Sequence, residues 1–130
     1  MIDWSHFVEI VNRHQRFMLT THIRPDGDAL GSEIAMAAVL ESLHKDVLVC
    51  NVFAVPSNLQ FIDLQKKYKE LGVDITPAEL ADREVLIILD TSAWAQLDSM
   101  ADIVRASKAI KVVIDHHLSE DDLGAEVFKD

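Results

Sequence analysis

The chain has 130 residues, 49% of them hydrophobic, which suits one domain with a real core and leaves no room for a second. Its 12 Lys and Arg against 22 Asp and Glu give a formal net charge of -10. That balance argues against a nucleic-acid groove built on basic side chains, because such grooves draw most of their affinity from cations meeting phosphates. No apolar run approaches the roughly 20 residues that span a bilayer, no basic-then-apolar leader opens the chain, and the single Cys50 can form no internal disulfide. The expectation is a soluble, cytoplasmic protein with no membrane partner and a small, buried cysteine.

In chain order, residues 3 to 14 read as an amphipathic helix with Trp4, Phe7, Val8 and Val11 on one face, and with His6 and His14 as surface or capping residues. Arg16 to Thr21 reads as a short buried strand. A helical pattern then runs from Asp28 to Leu43, with Asp28 as a candidate cap and with Ala29, Ala35, Ala37 and Ala38 small enough to let the helix approach a sheet. Asp46 to Phe53 is β-prone, and His44 before it reads as a helix-end residue. Leu59 to Leu71 reads as a helix closed by Gly72, and Pro77 to Asp82 as a short helix. Glu84 to Leu89 is a second buried strand, Trp94 to Ser107 a helix, Ile110 to Ile114 a further strand, and Ala125 to Phe128 one more short strand. This alternation predicts an α/β fold, a doubly wound, mainly parallel sheet of four to five strands with helices on both faces.

Chemistry collects at three strand ends. The first strand is followed by His22, Asp26 and Asp28; the strand at 84–89 ends in Asp90; the strand at 110–114 ends in Asp115, His116 and His117. In a parallel sheet these ends share the carboxyl edge, where such sheets bind ligands. Taken singly, Asp28 and Asp90 read equally well as helix caps and the histidine pair as a polar turn; their convergence is what points to a site. A cluster of carboxylates repels itself unless cations neutralise it. Oxygen and nitrogen donors without thiolate favour manganese, with cobalt or magnesium as alternatives. These groups are too many for one ion with open positions, and suit two ions roughly 3.5 to 4 Å apart, the arrangement that activates water in phosphoryl hydrolysis. Gly27 would let the loop turn so that Asp26 and Asp28 serve different ions, and Asp90 is the natural bridge. Of His116 and His117, one could bind metal while the other donates to a phosphate oxygen or leaving group.

The run His22-Ile-Arg-Pro-Asp26-Gly-Asp28-Ala-Leu-Gly31-Ser32, with Asp90-Thr-Ser and Asp115-His116-His117 in this order, resembles the first three motifs of the DHH phosphoesterases. That superfamily includes RecJ-type exonucleases, family II inorganic pyrophosphatases, exopolyphosphatases and nanoRNase/pAp phosphatases. The wording of the first motif is closest to the last branch. The resemblance implies one manganese on His22, Asp26 and Asp90 and a second on Asp28, Asp90 and His116. His117 would face the substrate phosphate, and Asp115 would orient the site. It also implies a fourth-motif Asp and a C-terminal substrate-binding domain, neither of which is matched before Asp130.

The resulting expectation is the incomplete N-terminal domain of a manganese-dependent phosphoesterase. A water activated by two metals would hydrolyse short oligoribonucleotides or nucleoside bisphosphates, with little activity in this stretch alone. Apolar surface near Val127 and Phe128 raises the expectation of a homodimer. Two other classes compete: a receiver-like phosphoacceptor signalling domain, which also carries an acidic pair after its first strand, and an inert nucleotide-binding domain that keeps the pocket without hydrolysis.

Overall fold

The computed structural model describes residues 3–63, 66–91, 93–115 and 125–129. Six parallel strands form one sheet: β1 (Arg16–Thr20), β2 (Asp46–Asn51), β3 (Tyr68–Glu70), β4 (Val85–Leu89), β5 (Ile110–Asp115) and β6 (Glu126–Lys129). They lie in the order β3-β2-β1-β4-β5-β6. The doubly wound α/β fold is therefore present, with six strands where four to five were expected. From β1 the chain winds outward through β2 to β3, then returns to β4 on the other side of β1 and winds outward again through β5. This puts the topological switch point between β1 and β4.

Strands β1 and β4 are covered on both faces, which is why they read as unbroken apolar runs. Alternate residues feed two separate cores. Phe17, Leu19, Val85, Ile87, Leu89 and Val112 meet Ile10 and Val11 of α1 (Ser5–Arg13) together with Ala37 and Leu40 of α2 (Gly27–Ser42). Met18, Leu86, Ile88 and Val113 meet Leu97 and, from α3 (Met100–Ala106), Met100, Ala101 and Val104. Cys50 is buried within this second core. At the amino end of the sheet Arg83 is buried; its Nη1 donates to the Phe17 carbonyl at 3.3 Å, and its guanidinium pairs with Asp46.

Several local expectations need correction. No long helix covers residues 59–71: a 3-10 turn, Ser57–Ile62, is followed by β3, and Phe61 is exposed. Tyr68-Lys69-Glu70 is a polar edge strand that exists because it pairs with Val49, Cys50 and Asn51 of β2, a tertiary contact that overrides local preference. Gly72, at φ +85°, turns the chain after this strand and does not cap a helix. The helix expected over 94–107 is broken into a 3-10 turn, Trp94–Gln96, and α3. Asp98 between them has φ +50°, a left-handed conformation that no right-handed helix continues through. On α1, Ile10 is buried while Val8 is exposed, as is Trp4 at the helix's N-cap.

Phe128 is only 6% exposed. It stacks on Trp4 at 5.6 Å between ring centroids and meets Phe7 edge-on, so α1 already covers the surface from which self-association was expected; Val127 alone of that pair stays open. No helix among the described residues is long and apolar enough to cross a membrane.

Candidate metal centre

The switch point brings three of the candidate side chains near one another. After β1 the loop passes through Thr21 and His22 and turns at Arg24 (φ +56°), so that Asp26 caps α2. Asp26 Oδ1 accepts the Ala29 N–H at 2.9 Å, one of the orphan donors of the first turn. The cap is thus Asp26, where Asp28 was expected. Asp28 is an exposed first-turn residue; Gly27 is the first helical residue and has no positive φ, so the tight turn belongs to Arg24. Across the crevice β4 ends at Asp90, whose φ of +63° is a left-handed conformation that Asp tolerates better than most residues. Its N–H donates to the Ile114 carbonyl at 2.9 Å, tying the turn to β5.

His22, Asp26 and Asp90 come together, each offering a ligand atom within 4.8 Å of the others. His22 Nδ1 lies 2.9 Å from the Ile23 carbonyl oxygen, which can accept a proton from it and so can orient the ring. Nε2 lies 3.4 Å from Asp90 Oδ2, with the His22 and Asp90 side chains only 15% and 11% exposed. An imidazole nitrogen and a carboxylate oxygen this close in a half-buried site can share a proton or, with Asp26, a divalent cation. Imidazole plus two carboxylates, with the imidazole's second nitrogen on a backbone carbonyl, is a donor set that fits a divalent ion. Capping leaves Asp26 capacity to spare, because an ionised carboxylate offers several lone-pair directions. The 16-residue α2 also aims its amino terminus at this crevice, where its dipole favours anions.

Asp115 is the last residue of β5 and is 5% exposed, beside the strand that carries Asp90, but it is not part of the three-residue cluster; nor is Asp28. His116 and His117 lie outside the described residues.

Residues 16–128 match the model of the DHH family, N-terminal domain. The chain belongs to the DHH family. Among its DHH relatives, the "Bifunctional oligoribonuclease and PAP phosphatase NrnA" of Mycoplasma pneumoniae is 29% identical over 117 residues, covering 89% of this chain and 35% of that protein. The protein of the same name from Bacillus subtilis is 26% identical over 123 residues, covering 92% of this chain and 35% of its own length. This chain therefore spans about a third of the length of the curated DHH relatives it matches. The crystal structure of an exopolyphosphatase-related protein from Bacteroides fragilis superposes with a TM-score of 0.89 at 29% identity, over 99% of this chain and 39% of that one.

Below the cluster lies a polar network that the sequence reading passed over. Asn51, at the end of β2, accepts the Thr21 N–H at 3.2 Å and the Thr20 hydroxyl at 3.4 Å through Oδ1. Its Nδ2 donates to Glu33 Oε1 at 2.8 Å. The Thr21 hydroxyl donates to the Leu89 carbonyl at 2.6 Å, one residue before Asp90. A signal was available: Glu33 stands on the stripe of α2 that otherwise buries Ala29, Leu30, Ala37 and Leu40. A carboxylic acid on such a stripe marks a buried polar contact.

Proposed function

We propose that this stretch carries the metal-binding half of a phosphoesterase, which hydrolyses the phosphodiester of short oligoribonucleotides or the phosphomonoester of a nucleoside bisphosphate. The observation that carries the reading is the meeting of His22, Asp26 and Asp90 at the switch point of the sheet. Two relatives named as oligoribonuclease and PAP phosphatase support the substrate class.

In this reading His22, Asp26 and Asp90 hold one divalent ion, manganese by preference with magnesium or cobalt as alternatives, and Asp28, Asp90 and His116 hold a second. Bound there, such ions would supply Lewis acidity to a water and neutralise phosphate charge. The chain's own residues do the rest. Asp26 fixes the start of α2, whose amino terminus faces the phosphate; Asp115 orients the strand end beside Asp90; His117 meets the substrate phosphate. The compartment is the cytoplasm, consistent with one buried, unpaired cysteine. Membership of the DHH family gives no support to a receiver-like phosphoacceptor.

The test is product release from a short oligoribonucleotide and phosphate release from a nucleoside bisphosphate, with manganese, by the full-length protein and its His22→Ala variant. Hydrolysis that falls by at least 100-fold in the variant supports the reading. Unchanged hydrolysis contradicts it, and no hydrolysis by either protein in the presence of bound metal points to the inert binding domain.

A further inference from the structure

We propose that Glu33 is a positioning residue of the metal centre, acting through Asn51 and Thr21 to hold the ends of β1, β2 and β4 in one register. The proposal rests on the reading of His22, Asp26 and Asp90 as metal ligands.

Glu33 is completely buried, and its Oε2 has no hydrogen-bond partner among the described residues. No Lys or Arg pairs with it among the described residues. Cys50 on β2 and Tyr68 on β3 both sense it; both are pushed upward chiefly by burial and both are neutral near pH 7. An ionised carboxylate here would be an uncompensated charge, so Glu33 is held as the neutral acid; burial pushes its carboxyl up to about 8, while the Asn51 amide pulls the other way. An apolar residue at this place on the α2 stripe would pack at no such cost. What the acid supplies is an acceptor for Asn51 Nδ2.

That acceptor matters because Asn51 has two orientations. The Thr21 N–H can only donate, so Asn51 must turn its oxygen toward it and its NH2 group away, and Glu33 is what receives the NH2 group. Without Glu33, the amide loses the partner that keeps its oxygen on Thr21. Thr21 lies at the root of both sides of the crevice. It immediately precedes His22, and its hydroxyl holds the carbonyl of Leu89, which immediately precedes Asp90. One buried acid thus sets the backbone positions of two of the three clustered residues, the kind of outer support whose loss costs a metal site 10- to 100-fold in affinity as a rough range.

The experiment is manganese titration of the chain by calorimetry for wild type, Glu33→Gln, Glu33→Leu and Asn51→Ala, paired with amide NMR of the metal-free proteins across pH 6 to 9. Glu33→Gln keeps the acceptor and mimics the neutral acid. It should bind within about 2-fold of wild type, while Glu33→Leu and Asn51→Ala should each lose on the order of 10-fold or more. In wild type the Thr21 amide resonance should follow a titration that Glu33→Gln abolishes. Wild-type affinity in a folded Glu33→Leu overturns the proposal; if that variant does not fold, wild-type affinity in Asn51→Ala does so. If wild type itself binds no manganese, the metal reading fails on its own. The NMR then decides for Glu33: Thr21 and His22 resonances displaced in Asn51→Ala, with a Glu33-dependent Thr21 titration, support its positioning role, and unmoved resonances overturn it.

Discussion

His22 Nε2 lies 3.4 Å from Asp90 Oδ2 although the two residues are 68 positions apart, and the other imidazole nitrogen is already committed to the Ile23 carbonyl. The fold holds the imidazole and the carboxylate at a distance that a shared proton or a shared divalent cation can bridge. The sheet order explains how the pair arises. β1 and β4 are hydrogen-bonded neighbours, with Thr20 opposite Ile88, so the residues just beyond them share one crevice.

Asp26 combines two roles that substitution can separate. Asp26→Asn retains an oxygen to accept the Ala29 N–H, so unfolding of the metal-free variant by denaturant should be within about 0.5 kcal/mol of wild type. Asp26→Ala should lose about 1 kcal/mol, the usual cost of deleting a cap. Manganese titration should show that both variants bind weakly, since neither keeps the carboxylate.

The burial of Glu33 makes stability depend on pH in a specific direction. The native carboxyl titrates at about 8 against an ordinary value of 4.5, so the folded state holds a proton that the unfolded chain releases between those limits. Stability from this group is fully present below pH 4.5 and falls as pH rises to about 8, by about 1.4 kcal/mol per pH unit at most. Denaturant midpoints measured between pH 5 and 8.5 should decline in wild type and flatten in Glu33→Gln.

The aromatic contact between the chain's beginning and its end should carry measurable energy. Phe128→Ala removes a nearly buried ring that touches Trp4 and Phe7, at a cost of roughly 3 kcal/mol. A double-mutant cycle with Trp4→Ala should return a coupling of about 1 kcal/mol, which would be absent if the stacked geometry did not persist in solution.

What could be read from the sequence follows burial. Leu86 to Leu89 and Phe17 to Leu19 are buried on both faces, so their apolar runs declared β4 and β1, and the polar residues ending those runs declared His22, Asp26 and Asp90. Tyr68-Lys69-Glu70 carries no such pattern, because an edge strand is specified by its neighbour β2 and not by its own residues. The break at Asp98 was equally hidden. It serves a contact distant in sequence, the Gln96 carbonyl accepting the Ile23 N–H at 2.6 Å, that helical periodicity cannot express. The choice between Asp26 and Asp28 as cap turned on where α2 begins, and helix ends are the part of a periodic pattern least marked by side chains. Glu33 was visible as an acid among alanines and leucines, but its partner Asn51 lies on another strand.

The most direct test of the account is a calorimetric titration of manganese into this chain and into its Asp90→Asn variant. Asn also tolerates the left-handed backbone at this position, so the variant removes the charge with little effect on the turn. The account predicts saturable binding by wild type and a loss of at least 10-fold in the variant, with both proteins unfolding at similar denaturant concentrations. Equal affinity in the two proteins, or no binding by the wild type, would contradict a metal centre at the β1 and β4 strand ends.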